Sequence, residues 1–208
     1  MVLGEFMKKK ILFWIFGFCF LIPNLSLAQA PHQVGGFELG QDIEKYTDML
    51  NMKTAFPIRY NEFLDQVEIK ENKMFKSGLI AYGTCAKPGR IVRVKLKYAD
   101  PSRKFYKALL KRFQDRFGDP SEYRGDSFQV VIAWKWSFSD SRNNRISLVL
   151  QHNTRDEEEK MGNAVKLTML NYMEEESRCF EKKQPKSEDI SRGKKSEEPL
   201  NWDLLIPR

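Results

Sequence analysis

Residue types that commonly carry chemistry are few in this chain of 208 residues. Histidine occurs twice, as His32 and His152, and neither has cysteine or a second histidine at the spacing of a zinc site. The run Asp156, Glu157, Glu158 and Glu159 is acidic, yet lacks the glycine and alternating oxygen ligands of a calcium loop. It reads as a solvated loop. No glycine-rich phosphate loop and no G-x-S-x-G elbow is present. The sequence therefore predicts no catalytic residue, no metal site and no cofactor.

The most suggestive stretch is QVVIAWKWSF at 129–138, where two tryptophans flank a lysine. Such a group could stack on a sugar ring or a peptide. It could equally be a strand with one apolar face. Val130, Ile132, Trp134, Trp136 and Phe138 alternate with polar or smaller residues, so a strand would carry them on one side and Lys135 on the other. The tryptophans are expected in the core, each buried aromatic contributing about 1.5–3 kcal/mol.

These side chains must be held by a fold, and the chain first says where that fold resides. Lys8, Lys9 and Lys10 precede an apolar run from Ile11 to Ile22, then Pro23, Asn24 and the small residues of SLAQA. The run is shorter than the ~20 apolar residues of a membrane span. Residues 1–28 read as a signal peptide, with a second cut possible after Ala30. Cys19 follows Gly17 and Phe18 and does not fit a lipidation signal. A periplasmic or secreted protein without a transmembrane span is expected. Its two remaining cysteines, Cys85 and Cys179, are the disulfide candidate in an oxidising compartment.

Residues 31–180 read as one α+β domain. A first helix is expected over 40–50, from Leu39, Ile43, Tyr46 and Leu50. Strands follow at 63–71, 78–85 and 91–98, the last with strict alternation in IVRVKLKY. Asp100 as N-cap and Pro101 at the first helical position open a second helix. Phe105, Leu109, Phe113 and Phe117 form its apolar face, and Gly118 with Pro120 ends it. Strands are expected at 129–138, 146–151 and 164–172, with a short helix at 174–179. The order suggests two α-β-β-β units in tandem, forming an antiparallel sheet with helices packed on one face.

The formal charge is +7, of which three lysines against Glu5 in the signal segment account for +2. The remaining +5 favours anionic surfaces without pointing to nucleic acid. Arg103, Lys104, Lys107, Lys111, Arg112 and Arg116 line the polar side of the second helix, which reads either as a plain solvated face or as a docking surface for an anionic partner. Residues 181–208 form a charged tail expected to be disordered. Trp202, Leu204, Leu205 and Ile206 make an apolar docking tip near its end.

The segments ELGQDIEKYTDML and RFGDPSEY, each leading into strands with an AWKW-like core, resemble uncharacterised exported bacterial proteins. More remotely they resemble the small periplasmic modules typified by the BamE outer-membrane assembly protein and the beta-lactamase inhibitor protein. The matching positions are Gly40, Gly118, Pro120, Trp134 and Trp136. The lipid-bearing cysteine of the assembly protein is missing, so outer-membrane anchoring is not implied. What the resemblance implies is protein binding without catalysis, and it carries no site residues across. A non-enzymatic exported module binding an envelope protein or an anionic envelope polymer or lipid surface is thus expected. The alternative is an envelope hydrolase using unrecognised carboxylates.

Overall fold

A computed structural model describes residues 30–154 and 162–183. The expected signal peptide, the acidic run at 156–159, the tail beyond Lys183 and its tip at Trp202, Leu204, Leu205 and Ile206 lie outside the described residues.

The chain enters through a small ribbon of β1 (Gln33–Val34) and β2 (Phe37–Glu38), then a 3-10 helix over Ile43–Met49. Four strands follow, β3 (Leu50–Ile58), β4 (Asn61–Ile69), β5 (Phe75–Gly83) and β6 (Ile91–Tyr98). Helix α1 (Arg103–Phe117) leads to β7 (Glu122–Tyr123), β8 (Val131–Ser139), β9 (Arg145–Asn153) and β10 (Gly162–Met169), and α2 (Leu170–Lys183) closes the described chain. The fold is α+β. Its eight-stranded sheet has the order β3-β4-β5-β6-β10-β9-β8-β7, antiparallel throughout. The last strand of each half meets at the centre, where Lys95 lies opposite Lys166.

Alternation decides the core. Val94 and Leu96 on β6, Val165 and Leu167 on β10, and Leu148 and Leu150 on β9 are buried on one face. Trp136 continues that layer on β8, next to Leu148. Helix α1 and the N-terminal segment cover this face, through Tyr106, Phe37, Leu39 and Ile43. Ser102 is the N-cap of α1, its hydroxyl accepting the Phe105 N–H at 3.2 Å. Asp100 accepts the Ser102 N–H at 2.8 Å instead of capping the helix itself, so the expected start at Pro101 moves on by two residues.

Four expectations are corrected. The first helix is a 3-10 turn and ends at Met49. Its period of three aligns Ile43 and Tyr46 against the core, while Leu50 is already a strand residue. Second, β3 is absent from the expected elements although Leu50, Met52, Phe56 and Ile58 alternate along it, because the expected helix runs through Leu50 and Pro57 argues against a strand. Proline is tolerated there because β3 is an edge strand with register shifts. Third, β10 stops at Met169, three residues before the expected end at 172, and α2 is longer than 174–179.

Fourth, the helices do not share one face. The 3-10 helix and α1 do, but α2 lies on the other side. There Leu64, Ala81 and Val92 form a separate cluster with Met173 and Tyr172. Leu64 and Ala81 alternate along their strands with Val67 and Ile80 of the main core, which places them on the opposite surface. Among the described residues no helix is long and apolar enough to cross a membrane.

Candidate functional site

The second face of the sheet is polar, and α2 covers only one end of it. Cross-strand register sets its rows. One runs Lys135, Val149, Lys166, Lys95, Leu79, Glu68 across six strands. The next runs Ser137, Ser147, Thr168, Arg93, Ala81, Gln66. Lys95, Lys166 and Glu68 are exposed. A cavity of about 460 Å³ opens over β5, β6 and β10, lined by Glu68, Glu71, Lys76, Lys95, Lys97 and Gln151 among others. The carboxylates of Glu68 and Glu71 sit among lysines there.

Two arginines on this side have opposite circumstances. Arg90 is buried and donates to Glu175 at 2.6 Å and Glu176 at 3.3 Å, with its guanidinium 4.1 Å from the centre of the Tyr172 ring. Arg93, three residues on, is half-buried beside α2. Its Nη2 donates to the Met173 sulfur at 3.2 Å, and its enclosed Nε has no partner. It forms no ion pair among the described residues. Burial holds its pKa below the ordinary arginine value. A guanidinium is suited to grip a carboxylate or phosphate with two parallel N–H donors. Among the described residues Arg93 is a cation of this face that has no carboxylate partner.

The end of the polar face is locked by α2. Tyr172, Met173, Glu176, Cys179 and Phe180 recur at helical spacing and point at the sheet. Glu176 has none of its surface exposed and accepts the N–H groups of Cys85, Ala86 and Lys87 at 2.8, 2.8 and 2.9 Å. Burial pushes its pKa up, but those three amides and the Arg90 charge prevail and hold it below the usual carboxylate value. Cys85 and Cys179 stand at disulfide distance, with sulfurs 2.08 Å and Cα atoms 5.8 Å apart.

The tryptophans of the WKW stretch belong mainly to the core. Trp136 is 2 % exposed, packs 5.8 Å from Phe113 and donates its indole N–H to the Gly118 carbonyl at 2.8 Å. Trp134 is half-buried and meets Tyr123 edge-on at 4.9 Å. Lys135 points to the polar face and reaches Glu122 at 3.2 Å.

His152 is buried as well. Its Nδ1 lies 2.7 Å from the Asn163 side-chain oxygen, and its ring stacks on Tyr106 at 5.2 Å. Asn163 in turn donates to the carbonyls of Asp100 and Ser102 at 2.8 and 3.0 Å. This cluster ties the start of α1 to β9 and β10.

The expected basic surface, Arg103, Lys104, Lys107, Lys111, Arg112 and Arg116, is exposed on α1, with Lys111 paired to Asp115 at 3.1 Å. It lies across the sheet from Arg93, Lys95 and Lys97, so the two basic groups do not merge. Among the described residues no group of three or more His, Cys, Asp or Glu could hold a metal ion. Along the sequence Arg93 is one of three cations that alternate with apolar residues on β6, with Lys95 and Lys97. Its lack of an anion, and the whole role of Glu176, left no mark in the local pattern.

No protein-family model, no curated protein and no solved structure matches this chain.

Proposed function

We propose that the chain is an exported, non-enzymatic module, periplasmic or secreted, that binds an envelope protein through the polar face of its sheet. The observation that carries this reading is Arg93, partly desolvated without a carboxylate partner among the described residues. A charge taken out of water is ordinarily paired, so a site that leaves one unpaired is suited to an anion from outside. An acidic segment laid across β6 and β10 would supply it. The basic, apolar and small-residue order of the first 28 residues supports export, as does the cysteine pair at disulfide distance. We also read the chain as two tandem units, each a helical segment followed by four strands, with β6 and β10 as equivalent last strands. The resemblance to small periplasmic binding modules points the same way.

Crosslinking in cells followed by capture from the envelope fraction tests the proposal, with Arg93→Ala and Arg93→Lys beside the unaltered chain. Loss of a charge-assisted, two-donor contact lowers capture of a specific partner by about tenfold or more in Arg93→Ala. Arg93→Lys restores part of it. Equal capture by all three chains, each folded by circular dichroism, removes the polar face as the binding site.

A further inference from the structure

Helix α2 carries three carboxylates in succession, yet none of them answers Arg93. Glu174 is paired with Arg145, and Glu175 and Glu176 with Arg90. What α2 presents to Arg93 is the thioether of Met173, whose sulfur takes the Nη2 donor at 3.2 Å. A thioether is a weak acceptor, and the enclosed Nε of the same guanidinium has no partner among the described residues. The sulfur is held in this place. Met173 packs on Leu64, Ala81 and Val92, and just beyond it Glu176 and Cys179 fasten α2 to the loop at Cys85. Met173 is half-buried, whereas Met169, at the end of β10, is 1 % exposed.

We infer that Met173 is a modification site, oxidised by a peroxide to the sulfoxide, and that the sulfoxide oxygen takes Arg93 as its partner and so shuts an outside anion away from it. The second half of this inference rests on the binding role assigned to Arg93 above. In the reaction a sulfur lone pair attacks one peroxide oxygen and the O–O bond breaks. The departing hydroxide takes the proton of the transferred oxygen and leaves as water. Sulfur is oxidised by two electrons and the peroxide is reduced by two. A polar oxygen then stands where a weak acceptor stood, beside a guanidinium that still holds an unused N–H donor. The bond it accepts is charge-assisted, so an acidic segment from outside must compete with it. Sulfoxide formation is reversed by a methionine sulfoxide reductase, which makes the contact a switch. Met49, Met52 and Met74 are more exposed and oxidise as well, but Met173 is the methionine whose sulfur takes an arginine donor among the described residues.

The test uses the exported chain with Met49, Met52, Met74 and Met161 changed to leucine, treated with hydrogen peroxide until mass mapping finds one oxygen on Met173. Thermal unfolding verifies that the oxidised chain remains folded. Hydrogen exchange of the Arg93 guanidinium, read by NMR, is expected to slow by about tenfold or more once the sulfoxide accepts from it. Capture of the envelope partner in the crosslinking experiment falls by a similar factor, and a methionine sulfoxide reductase restores both. With Met173→Leu added, peroxide changes neither. Exchange at Arg93 that is indifferent to oxidation overturns the inference, as does an equal effect of peroxide in the Met173→Leu chain. Unchanged capture by the oxidised chain also overturns it where Arg93→Ala loses the partner. Where Arg93→Ala captures the partner as well, the reading of the polar face is what fails, and the exchange at Arg93 alone decides the modification site.

Discussion

Glu176 accepts the backbone N–H of Cys85 at 2.8 Å, while the sulfur of that same cysteine stands at bonding distance from Cys179, three residues along α2. One short loop is thus held twice by one helix, once through a carboxylate and once through sulfur. Arg90 adds a third tie through Glu175 and Glu176. The remaining loop amides, from Ala86 and Lys87, also end on Glu176, so no neutral side chain satisfies the cradle equally well.

Glu176→Gln keeps the shape and removes the charge, and its amide nitrogen turns a donor toward donors. Hydrogen bonds to a charged group contribute about 1.5–3 kcal/mol, so a loss of about 2 kcal/mol is expected in urea unfolding. The pH dependence has a definite sign. The folded-state pKa of Glu176 is lowered from 4.5, so the unfolded chain takes up the proton first as pH falls. The stabilisation is complete above that value and lost as pH falls through the folded pKa. The two chains should therefore converge in stability only once the pH lies below the folded-state pKa of Glu176.

Replacing both Cys85 and Cys179 with serine opens a bridge of sequence separation 94. In the chain-entropy treatment such a loop stabilises by about 4 kcal/mol. The expected loss is somewhat less, because Glu176 continues to hold α2 in place. Thermal unfolding with and without reductant measures it. Reductant should destabilise the unaltered chain and leave the double variant unchanged.

The two tryptophans separate core from rim. Trp136→Ala empties a closed site beside Phe113 and forfeits the bond to Gly118, costing about 3–5 kcal/mol. Trp134→Ala, at a half-buried position against Tyr123, should cost about half as much. Chemical denaturation of each variant checks the order. Similar losses at both positions would contradict the packing described.

Asn163→Ala severs His152 from the first turn of α1, leaving the carbonyls of Asp100 and Ser102 without their side-chain donor. A cost of about 1–3 kcal/mol is expected for the stranded buried groups. Amide hydrogen exchange should locate the effect, with faster exchange in the first turns of α1 and little change in β4 and β5.

Much of the fold is legible along the chain. The alternation of IVRVKLKY, VIAWKWSF and RISLVLQH identifies β6, β8 and β9, because a pleated strand shows each face every second residue. The four-residue spacing from Phe105 to Phe117 does the same for α1, and Cys85 and Cys179 are the pair the sequence offers for a bridge. Helix α2 is legible only in part, as the short helix expected at 174–179. Its inward face carries Glu176 and Cys179 beside Tyr172, Met173 and Phe180, so a scan for an apolar stripe passes over it. Strand β3 escapes because the helical reading from Leu39 runs through its first residue and Pro57, tolerated at a sheet edge, argues against a strand.

By itself the sequence determined the periodic elements and the signs of charge on each surface, since these depend on neighbours two to four residues away. Only the tertiary structure decided which charges are answered. Arg90 finds its carboxylates more than eighty residues later, whereas Arg93, three residues on, meets among the described residues the sulfur of Met173. Pairing is a matter of distance in space and of burial from water, and neither is written in local periodicity.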